Sequence, residues 1–158
     1  MDGADTLDTN YTSKMVVIAE GEWAGWNQYP GGDPFEDLAG PFYCRIDDKG
    51  GRLCAFRAER KHMNGGMFMH GGCVMTFADF SLFWIARDAI EGGSSVTATF
   101  NCELVGTARV GDLVECRGEV VKAGRSMVFI RGLITNASEG GEPMASFSSV
   151  LKKTTRRS

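Results

Sequence analysis

Histidine is scarce in the 158-residue sequence, with two copies, and proline occurs only four times. The five cysteines, Cys44, Cys54, Cys73, Cys102 and Cys116, include no CxxC pair. An odd set without metal-ligand spacing argues against a zinc ribbon and a disulfide framework, and makes a reducing cytoplasm the expected location. These cysteines fall in apolar or alternating stretches, where a free thiol behaves as a small hydrophobe. Neither sign of charge dominates. The 17 basic and 20 acidic side chains leave a formal charge of −3, which speaks against a protein made chiefly to grip nucleic acid. No long hydrophobic run is present either: residues 73–86 are interrupted by Asp79 and are too few to span a bilayer, so no membrane insertion is expected. The first ten residues are polar and acidic, the opposite of a secretory leader. A GxSxG elbow, a phosphate-binding GxxxxGKS or GxxxxGKT loop and a GxGxxG strand-to-helix turn are all missing.

What remains is a chain able to bury a core: 43% of its residues are hydrophobic, ten of them Phe. Its length suits one domain. The 21 glycines have no three-residue period and read as turns and close backbone approaches. After a loose polar start (1–14), Val16, Ala19, Trp23 and Trp26 recur at helical spacing and predict a short helix over 15–26. Its tryptophans are expected to pack as core or lid. Dense Gly and Pro punctuation follows over 29–34, then one further helical turn over 35–38.

From Phe42 the pattern turns to β. Residues 42–46 and 53–58 flank a hairpin loop, and a Gly-, Met- and His-rich loop spans 61–69. Residues 71–91 form the one long helix expected, stopped by Gly92-Gly93. Four strands should follow over 96–104, 113–121, 126–135 and 144–151, joined by short connections into an antiparallel meander. The helix is apolar almost all round and must be covered on every side. A curved sheet with one apolar face can wrap it, but six strands from one chain hardly enclose it, so a dimer is expected. The basic end over 152–157 reads as a solvated tail.

Three features carry chemistry. His62 and His70 both lie in the loop that enters the helix, beside Asn64 and Gly71-Gly72. Glycines at a helix N-terminus leave bare amides open to a ligand oxygen, an arrangement that serves as an oxyanion hole, or simply make a tight turn. Asp79 sits mid-helix among Phe77, Phe80 and Phe83, where an unpaired carboxylate is costly. It either finds a hydroxyl such as Thr76 or Ser81 or faces a wet cavity, where burial raises a carboxyl's proton affinity toward that of a general base. Gly71 and Asp79 are eight helical residues apart, about 12 Å at 1.5 Å per residue, too far to act on one carbonyl within one chain. If they cooperate, the carboxylate comes from a second copy. A metal site is not expected, since His62, His70 and Asp79 match no helical ligand pair.

The string from His62 through Asn64 to His70-Gly71-Gly72, with Asp79 beyond it, resembles the signature of the PaaI-like branch of hotdog-fold thioesterases. The resemblance covers about residues 40–152. It implies an α+β hotdog fold, a curved antiparallel six-stranded sheet wrapped around a long central helix. The chain then divides into an N-terminal extension with short helices (1–40), a hotdog thioesterase domain (41–153) and a basic C-terminal tail (154–158). By the same resemblance the Gly71 N–H would bind the thioester carbonyl oxygen, and Asp79 of the partner subunit would act as base on water or as nucleophile. Asn64 would position water or the carbonyl, His70 would orient the loop, and Thr97 would assist the water. Gly72 would border the substrate, while Met67, Phe68 and Phe80 would wall the acyl group, with Phe77 beside them. Lys122, Arg125 and Lys152 would meet coenzyme A phosphates.

The implied reaction is hydrolysis of an acyl-CoA thioester without a separate cofactor, in a homodimer that pairs again into a dimer of dimers. A non-catalytic acyl-CoA-binding hotdog module is the alternative. A hotdog hydratase fits less well, because no second acid lies within the helix. One departure stands out: family members carry Gly three residues after the Asn, where this chain has Met67.

Overall fold

The structure, a computed structural model, describes residues 14–90 and 93–154. The loose start expected over 1–13, Glu91-Gly92 and the last four residues of the basic tail lie outside the described residues, and the helix expected over 71–91 ends at Ile85, with Ala86 as its cap and a separate short helix after it. Eight strands form one antiparallel sheet: β1 (Val16–Val17), β2 (Asn27–Gln28), β3 (Tyr43–Ile46), β4 (Arg52–Arg57), β5 (Ser94–Leu104), β6 (Leu113–Ala123), β7 (Met127–Asn136) and β8 (Glu142–Thr154). Helix α1 spans Pro34–Ala39, α2 spans Gly71–Ile85, and the short α3 spans Arg87–Ile90. The sheet order is β1-β2-β3-β4-β6-β7-β8-β5.

The hotdog arrangement is present, with three corrections. Two extra strands, β1 and β2, raise the count from six to eight. The final four strands are not one meander: β6, β7 and β8 are, but β5 pairs with β8 at the far edge while β6 pairs with β4. Helix α2 is the crossover that carries the chain from β4 to that edge. The helix expected over 15–26 is absent. Val16 and Val17 pair with Gln28 and Asn27, and Gly21 and Gly25 hold φ of 80° and 82°. Positive φ at those two glycines breaks a helix whatever the apolar spacing. The β-branched Val16, Val17 and Ile18 also favour extended backbone.

The Trp segment has a structural use. Trp26 is buried with Leu53 and Ala55, and Trp23 stacks on Tyr43 at 4.1 Å between ring centres. Successive residues of β4 point to opposite faces. Leu53 and Ala55 therefore lie under the Trp cover while Cys54 and Phe56 enter the main core. That cover buries β4 on both sides, where one water-facing surface was expected.

The sheet's other face wraps α2. Phe77, Ala78, Leu82 and Ile85 of the helix join Phe56, Val114, Ile130 and Phe147 of the strands in one core. Gly118 and Gly132, directly opposed on β6 and β7, make room for it. A Cβ at Gly132 would lie 2.3 Å from Phe147 Cζ, and one at Gly118 2.6 Å from Ile85 Cδ1. One stripe of α2 stays uncovered: Gly72 and Met75 are exposed, and Thr76, Asp79 and Phe83 are part-buried. The outer edge of β5 has no neighbour among the described residues. No helix among them is long and apolar enough to cross a membrane.

Candidate active site

The loop entering α2 is held by its own polar groups. Asn64 Oδ1 accepts from the Gly66 and Phe68 N–H groups at 2.9 and 3.2 Å, and the Asn64 N–H donates to the Phe68 carbonyl at 2.7 Å. Asn64 is exposed, and its amide nitrogen has no partner among the described residues. Within this tight loop Met67 takes φ of 61°, the only non-glycine residue with positive φ among those described.

His70 caps α2. Its Nδ1 accepts the Gly72 N–H at 2.9 Å, and its carbonyl accepts the Cys73 and Val74 N–H groups. With Nδ1 accepting, the neutral ring carries its proton on the exposed Nε2. Those bonds consume every first-turn amide except that of Gly71, whose N–H has no partner among the described residues. Leu104 of β5 lies over Gly71, so that a Cβ there would approach its Cδ1 to 2.7 Å. Glycine at 71 thus makes room for Leu104, and the Gly72 amide is already committed to His70.

His62 is structural. It is buried, its Nδ1 accepts the Glu59 N–H at 2.9 Å, and its Nε2 donates to the Ala39 carbonyl at 2.7 Å. Burial lowers its pKa, favouring this neutral ring. Among the described residues no group of three or more His, Cys, Asp or Glu is gathered where it could hold a metal ion. Burial pushes the Cys44 and Cys116 thiols up to about 12 and Cys73 up to about 11, so these cysteines are poor nucleophiles.

Asp79 is partnered neither by Thr76 nor by Ser81, which bond the carbonyls one turn back, at Gly72 and Phe77. Its Oδ1 instead accepts from Thr97 Oγ1 of β5 at 2.7 Å. The pair opens on a cavity of about 680 Å³ walled by Phe80, Phe83, Trp84 and Tyr29, with Arg87 at its rim. Arg87 donates to the Tyr29 hydroxyl and lies over the Trp84 ring. Glu36 of α1 lines the same cavity. No feature of the sequence marked Glu36 as part of the site, because Asp33-Pro34-Phe35-Glu36-Asp37 reads as an acidic, solvated first turn.

The expected residues therefore fall into two groups. Asn64, Met67, Phe68, His70, Gly71 and Gly72 gather at the amino end of α2, with the Arg109 guanidinium 4.4 Å from the centre of the Phe68 ring. Asp79, Phe80 and Thr97 gather along the helix at the cavity; Phe77 is fully buried in the core instead. Lys122 and Arg125 do not line that cavity. They lie at the β6–β7 turn, and β-pairing places Lys152 beside Met127 and Val96, at the same end of the sheet as Thr97.

Residues 66–142 match the model of the thioesterase superfamily. "Putative esterase PA0474" of Pseudomonas aeruginosa is 38% identical over 97 residues, which cover 61% of this chain and 72% of that protein. Human acyl-coenzyme A thioesterase 13 is 24% identical over 106 residues, 67% of this chain and 76% of that one. Among solved structures, the E. coli PaaI protein from the phenylacetic acid degradation operon superposes with a TM-score of 0.67 at 17% identity, covering 78% of this chain and 86% of its own. The smu.793 protein of Streptococcus mutans, bound to acetyl CoA, gives 0.63 at 21%, covering 74% and 91%. At such identities the two structures speak for the fold alone. The 38% relative and the family match together place this chain in the thioesterase superfamily, among the hydrolases of thioester bonds.

Proposed function

We propose that this chain hydrolyses acyl-CoA thioesters at sites shared between two copies of itself. The observation that carries the reading is the Asp79 carboxylate, fixed by Thr97 at the wall of an aromatic cavity and presented on the uncovered stripe of α2. The open Gly71 amide lies at the start of the same helix, about 12 Å along its axis, so a second helix laid antiparallel against the first would bring one chain's amide to the other's carboxylate. The unpaired edge of β5 offers the strand along which the two sheets join. Support for coenzyme A comes from the basic Lys122, Arg125 and Lys152 at the sheet end near Thr97, and from relatives whose names specify acyl-coenzyme A.

In this mechanism Thr97 occupies Asp79 Oδ1 and leaves Oδ2 to accept a proton from water. The water oxygen adds to the thioester carbon, and the resulting oxyanion is held by the Gly71 N–H of the partner chain, with the Asn64 amide as a second donor. Collapse breaks the C–S bond and releases the thiolate, which is a good enough leaving group to need no strong acid opposite the base. The cavity takes the acyl group. Discrimination between aryl and aliphatic acyl groups follows from how each fills the space between Phe80, Phe83 and Trp84.

Thiol release from a panel of aryl and short to long aliphatic acyl-CoA thioesters tests the reading, with Asp79→Asn beside wild type. The expected result is turnover of at least one thioester by wild type and a loss of a hundredfold or more in a variant that melts normally. Saturable binding without turnover by wild type would leave a non-catalytic acyl-CoA-binding module.

A further inference from the structure

Glu36 belongs to the N-terminal segment, outside the residues that match the superfamily, yet it lines the cavity that holds Asp79. Its neighbours explain what it does there. Asp33 caps α1 by accepting the Phe35 and Glu36 N–H groups, Asp37 accepts the Gly31 N–H, and Asp79 accepts from Thr97. Each of these carboxylates has a donor, while the Glu36 carboxyl has none among the described residues. Lys61 donates to the Gly40 carbonyl and Arg87 to the Tyr29 hydroxyl, and neither makes an ion pair with Glu36 among the described residues. A half-buried carboxyl that shares a cavity with Asp79, has Asp33 and Asp37 on its own helical turn and has no ion-pair partner among the described residues is stabilised in its acid form.

We propose that Glu36 is a positioning residue of the hydrolytic site, a neutral carboxylic acid that shares the cavity with Asp79 and keeps Asp79 the single anion facing the reacting water. The role rests on Asp79 acting as base. Burial, then the charges of Asp33, Asp79 and Asp37, push Glu36 up to about 7. Ionisation of Glu36 above that pH places a second negative charge where the hydroxide-like nucleophile and the oxyanion develop, and both are disfavoured by it. The N-terminal segment thereby sets the upper pH boundary of a reaction whose base lies on the central helix.

The test is kcat and KM from pH 5 to 9 for wild type, Glu36→Gln, Glu36→Ala and Asp79→Asn on the best thioester of the panel, together with a 13C NMR titration of the Glu36 carboxyl. Wild-type kcat should fall above a midpoint near 7 toward a lower plateau, the rate of the enzyme with Glu36 ionised. Both neutral variants should lose that alkaline limb whatever their rate at pH 6, a change of profile that a packing role alone would not produce. The Glu36 midpoint should drop in Asp79→Asn, where the neighbouring charge is gone. Superimposable alkaline limbs in wild type and Glu36→Gln, with Asp79→Asn inactive, overturn the role of Glu36 and leave the base standing. Full activity in Asp79→Asn overturns the base and the role together. If wild type turns over no thioester, an unchanged Glu36 midpoint in Asp79→Asn overturns the pairing directly.

Discussion

At its amino end α2 presents backbone, and eight residues further on it presents a side chain. The amino end is assembled from local bonds: Asn64 folds the loop, His70 takes the Gly72 amide, and one N–H is left open at Gly71. The middle is assembled from distant pieces, with Thr97 from β5 and Glu36 from α1 converging on Asp79. The first half is held mainly by bonds within its own loop, with Leu104 and Arg109 packed against it. The second exists only once the sheet has closed around the helix. A donor made of backbone survives most side-chain changes, while a carboxylate in an aromatic cavity depends on every wall around it.

Proline at 71 separates the two halves most sharply. The first position of a helix tolerates Pro, because its N–H bonds nothing within the helix, and the extended backbone of His70 (ψ 133°) suits a residue before Pro. Gly71→Pro combined with Leu104→Ala, which clears space for the ring, removes the open amide and no helical bond. We expect a loss of about a hundredfold or more in kcat, the scale of one oxyanion donor, with the melting temperature nearly unchanged. Mixing this variant with Asp79→Asn after reversible dissociation should restore about a quarter of wild-type activity, since half the dimers are mixed and each mixed dimer regains one complete site. No recovery on mixing would place both groups in one chain's site and break the division.

The local half was the legible one. The Asn64–Gly71 string, the helix start and the Asp79 spacing are short-range patterns, and a cap or a turn is specified by residues within a few positions of it. Asp79's partner was not legible. Hydroxyls two and three residues away, at Ser81 and Thr76, were the candidates near in sequence, but Thr and Ser inside a helix bond the carbonyl four residues back and were already occupied. The β5 edge position was hidden for a related reason: strand neighbours follow from how the helix crosses the sheet, and connection length alone does not reveal it. The segment over 15–26 misled because its apolar spacing suited a helix, whereas the side chains serve a Trp cover over β4 whose register only the folded sheet defines. Glu36 escaped notice altogether, because an acidic first turn looks solvated until a cavity closes over it.

Glu36 also sharpens the contrast through stability. Its proton is bound more tightly in the folded chain, at about 7 against an ordinary 4.5, so folding loses stability as pH rises through that window and loses no more above it. Glu36→Gln has no proton to lose. Its denaturant midpoint should match wild type near pH 4 and exceed it at pH 8, by about 1–2 kcal/mol after discounting for solvent screening. An equal difference at both pH values would show that Gln changes packing alone.

The smallest effect is expected back at the amino end, at Met67. A side chain in the left-handed region costs about 1–2 kcal/mol relative to glycine, partly offset because glycine gives the unfolded chain more freedom. Met67→Gly should therefore stabilise the fold by up to about 1 kcal/mol, measurable by urea denaturation. A strained residue kept at a loop tip beside an open amide points to a use for its side chain. Met67 is 39% exposed in the loop that leads to Gly71, so under the proposed mechanism its thioether is a candidate contact for the bound thioester. The variant should then be more stable and yet show a higher KM with little change in kcat, the signature of binding shared equally by substrate and transition state. A gain in stability with KM unchanged would make Met67 a tolerated misfit in the turn, and the amino end would owe its function to backbone and polar groups alone.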